Sequence, residues 1–226
     1  MMEHKRLTLF AGHYGSGKTN IAVNYAMALA AEGKKVCIAD LDIVNPYFRT
    51  ADSTRQLEEA GVELVVSRFA NSNVDLPSLP AEAYRLVEDK SVYGVMDIGG
   101  DDRGAYALGR YVPSIKQEQN YRMVFVANFC RPLTPTAEDA LEVMAEIETA
   151  CNLRFTHIVN NTNLGPDTDA QTVLDSVDYV NQLSTLSGLP VLFHSAEAKV
   201  AAALTGKLDN VFPLQLQEKY FDLPTL

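Results

Sequence analysis

Cysteine is scarce and scattered in this chain: Cys37, Cys130 and Cys151 are all there is among 226 residues. An odd number without a C-x-x-C pair excludes a disulfide framework and a thiolate metal cluster, and all three are expected as small buried residues. Basic residues are also short, 19 Lys and Arg against 29 Asp and Glu, for a net charge of −10. A duplex-DNA binder normally carries a basic face, so nucleic-acid binding is not expected. No run approaches the roughly 18 apolar residues that a membrane-crossing helix needs. The stretch Met1–Arg6 leads directly into the first apolar run, which leaves no space for a signal peptide; with the cysteine usage, a cytoplasmic location is expected. Repeats, low-complexity stretches and His-rich or Cys-rich tracts are missing as well.

What is present is enough apolar material for a full core, 47% of the residues. The length suits one α/β domain over 1–226 and leaves no room for a second sizeable one. Apolar runs rich in β-branched residues predict strands near Leu7–Ala11, Lys35–Asp40, Val62–Val66, Val92–Asp97, Met123–Ala127, Phe155–Asn160 and Pro190–Phe193. Most are continuously apolar rather than alternating, as expected for parallel strands covered on both faces. Helices are predicted over Thr19–Glu32, ended by Gly33, over Pro135–Thr149, capped by Thr134, and over Asp169–Ser187, ended by Gly188. The piece after Leu208 is mixed and receives no assignment, and Asn71–Pro80 is loop-like. The alternation implies right-handed βαβ units and a doubly wound, mostly parallel α/β sheet of about seven strands, with ligands at the carboxyl ends of the strands.

The segment Gly12-His13-Tyr14-Gly15-Ser16-Gly17-Lys18-Thr19 fits G-x-x-x-x-G-K-[ST], the phosphate-binding loop, and sits between a predicted strand and a predicted helix as that motif requires. Glycines at 12, 15 and 17 let the backbone curl so that several N–H groups converge on one anion, and the helix N-terminus adds partial positive charge. Lys18 is placed to reach the β/γ-phosphates and the Thr19 hydroxyl to hold Mg²⁺. Gly12, Gly15, Ser16, Gly17, Lys18, Thr19 and Asn20 form the expected nucleotide-contacting set. The cofactors implied are ATP and Mg²⁺.

Two further strand ends should converge there. Asp40-Leu41-Asp42 closes the second strand with two carboxylates spaced i, i+2 on one face. One suits a metal-bound water and the other an attacking water in line with the γ-phosphorus; the plainer alternative is a capped turn before Asn45-Pro46. Asp97-Ile98-Gly99-Gly100 ends the fourth strand with an acid in the Walker-B position for Mg²⁺. Its glycine pair allows the Gly100 N–H to approach the γ-phosphate and move away on hydrolysis.

On these three segments the chain resembles the MinD/ParA/CobB-type (SIMIBI-class) P-loop ATPases over nearly its whole length. The resemblance implies that Asp42 orients the hydrolytic water, with Lys18 assisting catalysis, while Thr19, Asp40 and Asp97 support Mg²⁺. Many such ATPases carry a lysine directly after the first loop glycine that reaches the partner's nucleotide across a dimer. Here that position is His13, shorter and mostly neutral at pH 7, so an ATP-sandwiched dimer is not expected. The metallochaperone GTPases of the same class compete, because Gly15–Thr19 and Gly99-Gly100 resemble their loops too. Their base-reading N-K-x-D is replaced here by Asn160-Asn161-Thr162-Asn163. Asn160 retains an amide for a purine edge. Asn163 offers only one acceptor where guanine presents two donors, which favours adenine.

Three function classes follow. An ATP-hydrolysing switch read by a protein partner comes first. An ATP-dependent synthetase or kinase acting on a small carboxylate, like dethiobiotin synthetase, comes second, and a nucleotide sensor without turnover third. Asn45–Arg49 and Arg131, which leaves the fifth strand on the ligand-bearing edge, are further candidates for contact, weighed against ordinary surface roles.

Overall fold

The computed structural model describes residues 3–41, 53–65, 84–99 and 102–216. Eight strands form one sheet: β1 (Leu7–Ala11), β2 (Val36–Leu41), β3 (Glu63–Val65), β4 (Tyr93–Ile98), β5 (Tyr121–Ala127), β6 (His157–Asn160), β7 (Val191–Glu197) and β8 (Val211–Leu214). Their spatial order is β3-β2-β4-β1-β5-β6-β7-β8, and every described pairing is parallel. The helices among the described residues are α1 (Lys18–Ala31), α2 (Thr54–Glu59), α3 (Tyr84–Glu88), α4 (Asp102–Gly109), α5 (Val112–Glu118), α6 (Ala137–Cys151), α7 (Ala170–Asp175), α8 (Val177–Ser187) and α9 (Ala198–Leu204).

Strand alternation divides the core in two. Leu7, Leu9 and Ala11 of β1 join Met96 and Ile98 of β4 and Met123 and Phe125 of β5 under α3–α6 and α8. Phe10, Val95, Val124 and Val126 point the other way, onto Ile21, Tyr25 and Leu29 of α1 and Leu57 of α2. A strand with both faces buried needs an apolar residue at every position, which is why these runs carry no alternation. With α1 on one face and α4–α6 on the other, β1 is the central strand, flanked by β4 and β5. The loop after it opens at the carboxyl edge, where doubly wound sheets bind ligands.

Four expectations change. β8 is an eighth strand that the expected seven omitted: it is short, lies at the sheet edge and contains Pro213, a residue that edge strands tolerate. It is tied to the central helix by Asn24, whose amide donates to the Gln215 carbonyl (2.9 Å) and accepts from the Gln215 N–H (2.8 Å). The sixth helix is capped by Thr136, not Thr134. Asp139 three residues on completes a capping box, while the Thr134 hydroxyl donates instead to the Asn128 carbonyl (2.9 Å). The segment Asp169–Ser187 is two helices, broken at Ser176. Its buried hydroxyl donates to the Val173 carbonyl (2.6 Å) and accepts from Asn160 (2.7 Å). Cys37 and Cys151 are buried as expected, but Cys130 is only partly so. Asn71–Pro80 lies outside the described residues.

Candidate functional site

The turn from β1 into α1 has the backbone of a phosphate cradle. Gly12, Gly15 and Gly17 all have positive φ (156°, 75° and 88°), and Gly17 is the left-handed N-cap of α1. Two of them are held to glycine by space as well. A Cβ on Gly12 would lie 2.7 Å from the Val126 carbonyl oxygen, and one on Gly17 would lie 2.2 Å from Asn161 Nδ2. Lys18 is buried and its Nζ donates to the His13 carbonyl (3.2 Å), so the ammonium curls back over the loop that its own helix starts. The Ser16 N–H closes the same turn onto the His13 carbonyl (3.1 Å), and the Ser16 hydroxyl is enclosed without a hydrogen-bond partner among the described residues. Thr19 is buried at the first turn of α1, and Asn20 follows it, partly exposed.

The carboxylates lie on the α1 side of the sheet. Asp40 and Asp97 are direct partners in the β2–β4 register, and Asp97 also pairs with Phe10 of β1, so the two side chains share the face that α1 covers. Both are buried, at 7% and 0% exposure. The helix that begins with Lys18 and Thr19 packs across these two strands. Just past the end of β4, α4 presses directly on the backbone of Gly99. A Cβ on Gly104 would lie 2.6 Å from Gly99 Cα and N. That close approach is a constraint on Gly104 that the sequence reading missed; a helix glycine two turns from a strand end is its only signal. Asp42, Gly100 and Asn45–Arg49 lie outside the described residues.

On the opposite flank of the loop the ends of β5, β6 and β7 form a frame of neutral amides and hydroxyls. Asn161 donates to the Ser16 carbonyl (2.6 Å) and accepts from the Ser195 hydroxyl (2.7 Å). Asn160 turns away from the loop. Its Nδ2 meets Ser176 Oγ (2.7 Å) and His194 Nδ1 (3.1 Å), its Oδ1 accepts from the Thr162 N–H, and the residue is 0% exposed. Every position on that amide that points at a neighbour is thus engaged inside the fold, which corrects the expectation of Asn160 at a purine edge. Asn163 is partly exposed, but both ends of its amide close a local turn, Nδ2 to the Asn161 carbonyl (2.8 Å) and Oδ1 from the Gly165 N–H (3.3 Å). Asn161, passed over because the N-K-x-D spacing selects 160 and 163, is the amide that touches the phosphate loop. Its signal was the strand period: adjacent residues at a strand end face opposite ways, and only one can face the loop.

Burial acts on the ionisable groups of this flank. It lowers His194 below the usual imidazole range, so the ring in the Asn160 network is neutral at pH 7, and it raises the Cys130 thiol, with Arg131 beside it working in the opposite direction. Among the described residues no group of three or more His, Cys, Asp and Glu could hold a metal alone.

A parallel doubly wound sheet with a glycine cradle between its central strand and helix, and paired acids on the neighbouring strand ends, defines a P-loop nucleotide-binding protein. More narrowly, the chain belongs to the CobQ/CobB/MinD/ParA nucleotide binding domain family, whose model matches residues 7–195. The fold is shared with the cell division protein FtsY of Thermotoga maritima (TM-score 0.54, 17% identity, 86% of this chain and 62% of that one). It is shared too with the signal recognition particle 54 kDa protein of Aeropyrum pernix, solved in complex with GDP (0.52, 20%, 85% and 41%), and with chloroplast FtsY of Physcomitrella patens (0.51, 20%, 86% and 59%). The chain spans less than two thirds of each of these. No curated protein matches it in sequence. Among the described residues, no helix is long and apolar enough to cross a membrane.

Proposed function

We propose that this protein binds ATP with Mg²⁺ and hydrolyses it, acting as a switch whose nucleotide state is read by a protein partner. The observation that carries the reading is the placement of the Gly12–Thr19 cradle over the in-register pair Asp40 and Asp97. Residues present fit both parts of the ligand. The cradle is kept open at Gly12 and Gly17, where a Cβ would run into Val126 and Asn161, and the buried Ser16 hydroxyl has no hydrogen-bond partner among the described residues. Mg²⁺ is commonly held by one or two carboxylates or hydroxyls, with substrate phosphates and water completing its shell, so a site lacking three clustered protein ligands suits it. Thr19, Asp40 and Asp97 would hold the ion, which supplies neutralisation of phosphate charge. Lys18 would leave the His13 carbonyl for the β/γ-phosphates. Asp42 would orient the water, and the Gly100 N–H would meet the γ-phosphate.

Adenine is preferred over guanine because position 163 carries an amide in place of a carboxylate. To meet a base, the partly exposed Asn163 amide would leave the Asn161 carbonyl and the Gly165 N–H that it holds in the unliganded turn. Competition of ATP and GTP against a fluorescent ATP analogue, with Mg²⁺, tests the reading. The wild type should favour ATP, and Lys18→Ala should weaken ATP at least about tenfold, the scale of one charge-assisted contact. Asp97→Ala should lose Mg²⁺-dependent affinity and turnover together, whereas Asp42→Asn should keep affinity and lose about a hundredfold or more in turnover. A wild type that prefers GTP would move the function to the GTPase side of the class.

A further inference from the structure

Arg6, Arg55, Arg85 and Arg154 are ion-paired; Arg122 is buried with Nε and Nη1 lacking a hydrogen-bond partner among the described residues, and Arg131 is the arginine of this kind beside the phosphate loop. Arg6 is buried against Glu118, Arg85 meets Glu63 at 2.6 Å, and Arg154 meets Glu148 at 2.6 Å. Arg131 stands on the turn after β5, and its side chain lies against the phosphate loop. A Cβ built on Gly15 would be 3.7 Å from its Nε and 3.8 Å from its Cδ, ordinary packing distance, so the missing side chain at Gly15 leaves the floor on which the arginine stem rests. The Nε is enclosed and has no hydrogen-bond partner among the described residues. The turn beneath it is firmly built. The Arg131 N–H donates to the Asn128 carbonyl (3.2 Å), the Thr134 N–H donates to the Arg131 carbonyl (3.1 Å), and the Thr134 hydroxyl also holds Asn128. Asn128 itself is 0% exposed and accepts the Cys130 and Asn163 N–H groups, which ties this turn to the end of β6.

A partly desolvated guanidinium with an unused donor is costly unless an anion completes it, and among the described residues no carboxylate forms an ion pair with Arg131. We propose that Arg131 is a phosphate-binding residue supplied in cis, which contacts the phosphate chain of a bound nucleoside di- or triphosphate from the side of the loop opposite Lys18. The inference rests on the nucleotide-binding reading and extends it to a residue outside the motif. Two cations would then grip the phosphates, Lys18 from the helix and Arg131 from the β5 edge. Arginine is the better choice for the second because its planar fork is held in position by the packing of its stem on Gly15.

The test is equilibrium binding of ATP, ADP and adenosine to the full chain and to Arg131→Ala, Arg131→Lys and Arg110→Ala. Arg110 is an exposed arginine whose removal makes the same change in net charge. Melting of each unliganded protein is recorded alongside. Arg131→Ala should weaken ATP and ADP roughly ten- to a hundredfold and leave adenosine and the unliganded melting temperature unchanged. Arg131→Lys should recover part of the loss, and Arg110→Ala should bind as wild type. Equal affinities in wild type and Arg131→Ala would overturn the proposal. So would a loss as large for adenosine as for ATP, which would make Arg131 a base or ribose contact. A wild type that binds neither ATP nor GTP would remove the nucleotide reading itself, and Arg131 with it.

Discussion

The two edges of the sheet use charge in opposite ways. At the amino edge, Arg6 enters just before β1 and is saturated: it donates to the carbonyls of Leu86 (2.8 Å), Asp89 (3.3 Å) and Val92 (2.9 Å) and pairs with Glu118. Lys90 reaches the same carboxylate (2.8 Å). Burial alone would raise Glu118, but Arg6 and Lys90 outweigh it and hold the carboxyl below its ordinary range. At the carboxyl edge the ends of β5, β6 and β7 carry neutral amides and hydroxyls, of which Asn161 holds the Ser16 carbonyl, the Lys18 ammonium donates to the His13 carbonyl, and the Arg131 Nε has no hydrogen-bond partner among the described residues. The difference separates stability from function along a single set of strands. Charges at the amino edge close loops onto the sheet, whereas at the carboxyl edge the Arg131 guanidinium rests against the phosphate loop.

The largest effect should come from breaking the closed edge. Arg6→Ala leaves a buried Glu118 and three carbonyls short of a donor. It should lower the unfolding free energy by about 3–5 kcal/mol in urea titration, without changing nucleotide affinity in whatever fraction stays folded. A comparable loss of affinity would erase the distinction between the edges. Next comes Asn161→Ala, on the frame of the open edge. It uncovers the Ser16 carbonyl and the Ser195 hydroxyl, so it should cost about 1–3 kcal/mol of stability and also weaken ATP several-fold, because the loop loses its tether. Stability and binding should fall together there and separate cleanly in Arg6→Ala.

The smallest effect is a pH slope. Burial, with Arg122 and Lys5 nearby, pushes His157 at the start of β6 down from 6.5 to about 4. The unfolded chain therefore takes up a proton at higher pH than the folded one, and stability is lost as pH falls through that window. His157→Asn should flatten the fall in urea midpoint between pH 6.5 and 4 and leave binding at pH 7.5 untouched. An unchanged slope would mean that carboxylates alone govern acid sensitivity.

Strands with two buried faces appear in the sequence as nearly unbroken apolar runs, so β1, β4 and β5 and the phosphate loop after β1 are legible from the sequence alone. β8 is not, because a four-residue edge strand containing Pro213, with most of its positions only partly buried, has no such signature. Nor is the break at Ser176, which depends on an amide sixteen residues away. The same limit applies to the site. Lys18, Thr19, Asp40 and Asp97 stand out because each closes a recognisable local pattern. Asn161 meets Ser16 across 145 residues, so no local pattern marks it, and Arg131 stands out only as a residue leaving the fifth strand on the ligand-bearing edge, its packing on Gly15 being visible only in the fold. Spacing alone pointed to Asn160, whose amide faces Ser176 and His194 instead of the loop.

Amide hydrogen exchange of the full chain with and without Mg-ATP tests the contrast between the edges most directly. The account predicts that nucleotide slows exchange in the loop 12–19, at the turn 128–134 and around 161–165, while amides near Arg6, Val92 and Glu118 at the amino edge keep their rates apart from any uniform global stabilisation. Protection confined to the amino edge, or no local protection at 12–19 at saturating ATP and GTP, would contradict it.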